Sequence, residues 1–499
     1  MLQPRLSRSA LRLQRPTALH RRTLWHTSTL ISPSPSALLR HLESTSTASL
    51  TASSEKGTAT LWALSKNTPQ ELVPAFRRAL DGQQQPSAGC LSEVLPSSLV
   101  AQLAPSLSTS ASADTESFSL SLARWIPGPG EGDARVFRSA LVGRPNIALG
   151  REIKPESMSY GSSTGVPGGG RGAGGTEEDE AFKAFLRGEK WGFGGPPVAK
   201  TTEASEGGLE ELRDVDPKTV SQLVCFTADR IQPFLSALSA YPQAATAGLV
   251  GSSTPFHSPL HAPYSLFLNG EEEVHSTGAV GVAIVGGQKG GAGARTDYGG
   301  LEMLGTPMEV TSSRGNIVLT LSAQNAARTL LAEVNTFFGT SEKSLSALER
   351  SEEKEKEFYA AVFSQQPVLY AQGTNPDLAQ ATLVARIMAG DPSRGAMSVE
   401  TELDVPEGHW LVFLHRPSTT SSPLLSPSPS SLTFLTLPPS HAPPHFSASE
   451  CPSTGDVIEL KGWLAVSENG VVHAVGAGAG GGGGRRAVCA IEGAGVRLE

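Results

Sequence analysis

Short apolar runs alternate with helix-period segments along most of the chain from residue 58 onward. Residues 58–64 read as a strand buried on both faces. Thr68-Pro69-Gln70-Glu71 then has the form of a helix start, with Thr68 as cap, Pro69 at the first helical position and Glu71 closing a capping box. Leu72, Phe76 and Leu80 mark one helical face, which Asp81-Gly82 ends. A second such unit opens at Leu223-Val224-Cys225-Phe226 and passes into a helix through Ile231, Phe234, Leu235 and Leu238, with Pro233 tolerated in its first turn.

Strand signals dominate after Tyr241-Pro242. Residues 245–250, 264–268, 277–285 and 317–321 are short and apolar, and Asn269-Gly270 is a two-residue hairpin signal leading back through Val274. A helix is expected from Ser322 through Leu330, Leu331 and Val334. Residues 341–359, dense in Glu and Lys, read as a solvated helix with i,i+4 pairs. Beyond it, residues 383–388, 399–403 and 410–415 are strand candidates, the last two parted by a Val405-Pro406-Glu407-Gly408 turn. Residues 458–466 and 471–475 flank Asn469-Gly470 as a second hairpin.

The pattern predicts an α/β to α+β fold: two domains, 58–340 and 341–499, with mixed β-sheets flanked by helices and interrupted by long Gly/Pro/Ser-rich loops. Composition sharpens this. The 53 glycines and 36 prolines concentrate in blocks, chiefly 156–215 and 417–454, which are expected to be disordered inserts because they carry too little apolar surface to offset ordering entropy. No apolar run approaches a membrane span.

The formal charge of −8 conceals an asymmetry. Residues 1–42 hold Arg5, Arg8, Arg12, Arg15, Arg21, Arg22 and Arg40 with no acid, and the first four recur on one face of an amphipathic helix. This is the composition of a mitochondrial transit peptide, and a matrix location is expected. Without those seven, 33 basic residues face 48 acidic ones, which argues against a nucleic-acid surface. Cys90, Cys225, Cys451 and Cys489 are far apart and suggest neither zinc nor a disulfide framework.

No G-x-x-x-x-G-K-[ST] or H-E-x-x-H occurs, so the sequence calls for no cofactor and no metal. Gly251-Ser252-Ser253-Thr254-Pro255 loosely matches a nucleophile elbow but lacks its last glycine, leaving acyl transfer or hydrolysis through Ser252, Ser253 or Thr254 as a minor alternative.

Three segments combine permissive backbone with polar groups. Gly143-Arg144-Pro145-Asn146 and the nearby Arg151 offer two guanidiniums and an amide, suited to a carboxylate or equally to surface pairing with Glu152. The loop Ser252-Ser253-Thr254-Pro255-Phe256 follows a strand, and presents hydroxyls and free N–H groups or simply caps a turn. Asp391 and Arg394 lie in Gly390-Asp391-Pro392-Ser393-Arg394-Gly395, where they bind a ligand or brace the turn. The residues carried forward as one ligand site are Arg144, Asn146, Arg151, Ser252, Ser253, Thr254, Phe256, Asp391 and Arg394.

The order of several phrases resembles the FIST domain. They are Thr227-Ala228-Asp229, the Gly248–Phe256 segment, Leu266-Phe267-Leu268-Asn269-Gly270, the 276–283 run, Leu304-Gly305-Thr306-Pro307 and Gly315-Asn316-Ile317. The resemblance spans about residues 58–475. It implies a small-molecule-binding, sensory role with a ligand such as an amino acid. FIST domains act beside signalling modules in bacteria and behind an F-box in animals. A protein partner and a role as adaptor in ubiquitin-dependent turnover are therefore carried as the alternative, although no F-box-like pattern precedes the domain here.

Overall fold

The structure is a computed structural model. It describes residues 25–49, 57–81, 85–105, 116–128, 131–143, 208–254, 263–268, 273–287, 293–338, 358–369, 376–391, 395–401, 404–416, 428–440, 447–453, 455–475 and 485–498. The chain begins with β1 (Trp25–Ser32), α1 (Pro35–Ser49), β2 (Ala59–Ser65), α2 (Val73–Asp81), β3 (Ser87–Ser92), α3 (Ser97–Leu103), β4 (Phe118–Trp125) and β5 (Glu131–Ser139). Next come β6 (Val220–Thr227), α4 (Gln232–Leu238), β7 (Ala245–Val250), β8 (Leu266–Leu268), β9 (Ala279–Gly287) and β10 (Ala294–Asp297). Then follow β11 (Glu302–Arg314), β12 (Ile317–Leu321), β13 (Gln324–Asn325) and α5 (Ala326–Phe338). The last third holds β14 (Phe358–Phe363), β15 (Leu383–Asp391), β16 (Ala396–Val399), β17 (Trp410–His415) and β18 (Leu432–Thr436). It ends with β19 (Ile458–Lys461), β20 (Trp463–Ser467), β21 (Val471–Val475), β22 (Arg485–Cys489) and β23 (Gly495–Leu498).

These form an α+β molecule of four sheets, three mixed and the fourth antiparallel, with few helices. The first sheet runs β19-β1-β4-β2-β3-β8 and the second β22-β21-β7-β6-β9-β5. The third is β10-β23-β18-β20. In the fourth, β11-β17-β14-β15-β16-β12, the strand β12 pairs back onto β11, closing a small barrel that carries β13 as an extra.

The all-apolar reading of β2 follows from burial on both faces. Leu61 and Ala63 join the core between the first and second sheets, while Trp62 and Leu64 pack under α1 and α2 with Leu38, Leu42, Phe76 and Leu80. The two sheets are tied by Trp25, whose Nε1–H donates to Gln222 Oε1 at 2.9 Å. A separate cluster around Leu304, Val310, Val318, Leu411 and Phe413 fills the barrel. Among the described residues no helix is long and apolar enough to cross a membrane.

Several expectations change here. Residues 25–42, assigned to a cleaved leader, supply β1 and much of α1, and β1 lies inside the first sheet between β4 and β19. The block 417–454 contains β18, wholly buried between β20 and β23. The block 156–215 ends in a short 3-10 turn over Glu210–Leu212, where Leu209, Leu212 and Val215 are buried; residues 156–207 lie outside the described residues.

A division at residue 340 would cut the barrel, since β11–β13 precede it and β14–β17 follow it. Likewise, β19 pairs with β1, β21 with β7 and β23 with β10. Phe358 and Tyr359 start a strand rather than end a helix, and residues 341–357 lie outside the described residues. Thr68 makes no cap: its Oγ1 is buried without a partner and the helix starts five residues later.

Candidate functional site

Three pairs of parallel neighbours, β2/β3, β6/β7 and β18/β20, carry the site. Loops at the carboxyl ends of parallel strands are where α/β sheets bind ligands, because the strands stop there and leave oriented backbone groups and side chains around a crevice. The residues that follow β2, β3, β6, β7 and β20 are Lys66, Glu93, Ala228-Asp229-Arg230, Gly251-Ser252-Ser253 and Glu468-Asn469. Hydrogen bonds hold these loops to one another. Gly251 N–H donates to Thr227 O (2.7 Å), Val250 N–H to Gly470 O (3.0 Å), and Ser252 N–H to Leu91 O (3.3 Å).

The turn Asn469-Gly470 is what makes the arrangement possible. In place of a hairpin it forms a corner: β20 pairs with β18 in the third sheet, whereas β21 pairs with β7 and β22 in the second. Gly470 adopts φ 114°, a conformation that favours glycine. Asn469 Nδ2 donates to Gly251 O at 2.9 Å, fastening the corner to the loop after β7.

Between these loops and the barrel lies a cavity of about 330 Å³, at the small end of ligand pockets. Its apolar wall includes Leu235, Val250, Val384 and Ile491. Its polar groups fall into two sets. On one side stand Asp229, Arg230, Tyr264 and Asn469; on the other, Arg386, Glu400 and Thr401 from β15 and the residues after β16. Arg230 Nε lies 3.5 Å from Asp229 Oδ2, both side chains about half exposed. Glu400 N–H donates to Arg386 O at 2.8 Å, which sets the backbones of the two residues side by side.

Two further features mark this pocket. Arg230 has φ 55°, a left-handed backbone that a long side chain rarely adopts and that costs about 1 kcal/mol or more. Burial, reinforced by Asp229 and Glu468, pushes the Tyr264 hydroxyl well above its ordinary range, so it remains a hydrogen-bond donor.

The expected site residues are distributed unevenly. The last residue of β7, Val250, borders the cavity, and the hydroxyls of the loop that follows lie elsewhere. Ser252 is fully buried with no partner for Oγ, Thr254 Oγ1 is 2.9 Å from Ser265 Oγ, and Ser253 is exposed with its N–H on Glu468 Oε1 at 2.7 Å. Asp391 closes the β15–β16 hairpin opposite Ala396, about 16 Å along the strand from Arg386. Arg144, Asn146, Arg151, Phe256 and Arg394 lie outside the described residues. Gly143, immediately before Arg144, donates its N–H to Arg230 O at 2.5 Å on the cavity rim.

Sequence reading missed Asp229, Arg230, Tyr264, Arg386, Glu400 and Asn469 as a group. The available signal was positional: Asp229-Arg230 and, before Asn469, Glu468 are the first charged residues after strands that are buried at their ends. Among the described residues no three His, Cys, Asp or Glu side chains are placed to hold a metal ion. No protein-family model matches the chain, and no curated protein matches it.

Proposed function

We propose that this chain is a FIST-type sensory protein that binds a small zwitterionic metabolite, an amino acid by chemistry, in the cavity at the ends of β6 and β7. The observation that carries the reading is the set of charges around an apolar wall: the Arg230–Asp229 ion pair, and Arg386 and Glu400 from the barrel, lining one cavity with Leu235, Val250, Val384 and Ile491. A guanidinium fork accepts a carboxylate in two hydrogen bonds, and Asp229 or Glu400 accepts from an ammonium. Aliphatic side chains suit the apolar wall. The guanidiniums assigned to this role are Arg230 and Arg386, in place of Arg144 and Arg151. The arginine-rich residues 1–24 support a mitochondrial setting, with the folded body starting at Trp25.

Calorimetry with L-leucine as first probe, followed by the other amino acids, tests the proposal. Losing one charge-assisted hydrogen bond removes about 1.5–3 kcal/mol, so Arg230→Gln or Arg386→Gln is expected to weaken binding roughly ten- to hundredfold. Asp391→Asn, at the far end of β15 from Arg386, is expected to bind as the parent does. Absence of binding by every amino acid, or equal binding by both arginine variants, rejects the reading.

A further inference from the structure

Beside the cavity, and separate from its lining, sits a second charged group. Glu93, directly after β3, has no solvent exposure; its Oε1 accepts from Val94 N–H at 2.8 Å and its Oε2 from Lys66 Nζ at 2.6 Å. The same ammonium lies 3.7 Å from Glu468 Oε1. Lys66 and Glu468 are 13% and 11% exposed, so one lysine stands between two nearly buried carboxylates. Glu468 is not fully satisfied. Its Oε1 takes the Ser253 N–H, while its Oε2 is buried with no partner. The loop it holds also carries the buried, unpartnered Ser252 Oγ.

We infer that Lys66 is a proton-operated switch: with Glu93 ionised the ammonium rests on Glu93, and when Glu93 takes a proton from solvent the ammonium moves to the vacant Oε2 of Glu468. Among the described residues, Tyr264, Asp229 and Arg230 are the ionisable groups on neighbouring elements. Tyr264 faces Glu468 from the segment before β8, and Asp229 and Arg230 face Tyr264 from the end of β6. Lys66 comes from the end of β2 and Glu93 from the end of β3. Burial raises the Glu93 carboxyl above its ordinary range; the Lys66 hydrogen bond opposes the shift and the charge on Glu468 adds to it, so Glu93 takes up a proton at higher pH than an exposed glutamate does. Its protonation leaves one cation and one anion where there had been one cation and two anions.

The move changes the loop after β7. A Glu468 held by Lys66 is fixed on both oxygens, and its grip on Ser253 tightens, together with the Asn469 bond to Gly251 O. Acid therefore closes the latch on the cavity wall and neutral pH loosens it. An effect on ligand affinity rests on the binding reading above; the latch itself does not.

Hydrogen exchange of the backbone amides of residues 249–254 tests it on the full chain without ligand, comparing about pH 5.5 with about pH 7.5 after correction for intrinsic rates. The parent is expected to exchange roughly tenfold more slowly at the lower pH, as for one added charge-assisted bond. Glu93→Gln, neutral at every pH, is expected to be slow at both. Glu468→Gln keeps a carbonyl for Ser253 but loses the charge that draws Lys66, and is expected to be fast at both. Equal exchange of the parent at the two pH values overturns the switch, and so does a full pH response in either variant. Loss of amino-acid binding with the pH response intact rejects only the binding reading.

Discussion

His473, on β21, is fully buried, and burial lowers its imidazole to about 4. Its Nδ1 lies 3.3 Å from Thr296 Oγ1, and its ring packs edge-on against Tyr298. The folded state thus holds a neutral ring while the unfolded chain protonates near 6.5, so unfolding takes up a proton between those values. Stability is full above about 6.5 and is lost as pH falls toward about 4, by about 3 kcal/mol from this one residue. Glu93 works in the opposite sense, because its raised carboxyl favours the folded state when protonated. A comparison of thermal midpoints at pH 7 and pH 5 separates them: His473→Gln should lose clearly less stability on acidification than the parent, and an equal loss would show that His473 does not titrate on unfolding. Nothing in the sequence marks His473 as buried, since Thr296, Tyr298 and the paired Ala247, which surround it with the nearby Ala487, come from elements more than 170 residues away.

At the scale of elements, legibility tracked how local the causes are. Strands β7, β12 and β17 are readable end to end because each is an apolar run bounded by polar or turn residues. β1 is not, because Trp-His-Thr-Ser-Thr-Leu-Ile-Ser looks like surface sequence. Its Thr29 is nevertheless wholly buried, bonded to Ser121 Oγ, Gly462 O and Leu464 N–H. Partners so distant replace the apolar character that a sequence pattern depends on. β18 was hidden by its Ser- and Pro-rich flanks. The corner at Asn469-Gly470 was misread because the turn signal is genuine and only the pairing of its strands is non-local.

The β6–β7 pair beneath the cavity gives an element-scale prediction. A Cβ at Gly248 would stand 2.3 Å from Cys225 O and 2.7 Å from its Sγ. The carbonyl belongs to the parallel ladder and cannot move aside, so Gly248→Ala is expected to destabilise by about 1–3 kcal/mol or more. Denaturant midpoints measure this, and an unchanged midpoint would mean that the two strands are less closely paired than they are here.

For the molecule as a whole, the chain returns repeatedly to sheets it began earlier. Pairing of β19 with β1, β21 with β7 and β23 with both β10 and β18 leaves no cut that separates the described elements into an early and a late body. A chain ending at residue 340 lacks four barrel strands and the outer strands of the second sheet. It is expected to show no cooperative unfolding transition by calorimetry or circular dichroism, and a sharp transition would establish an autonomous early domain. The candidate site shares this dependence: Asp229 and Arg230 come from the middle of the chain, Arg386 and Glu400 from its last third, and Asn469 from near its end. Motif reading could place single segments of it but not their meeting point.

The position of β1 also has a consequence in time. Its partner β4 follows within about 90 residues, but β19 is not made until residues 458–461. At a synthesis rate of about 5–20 residues per second, the interval is roughly 20–90 s. Throughout it, one edge of a strand without a single charged residue stays open, and such an edge is a template for pairing with the wrong chain. The nascent protein is therefore most exposed to misassembly while nearly all of its sequence already exists, and a segment of four residues ends that exposure.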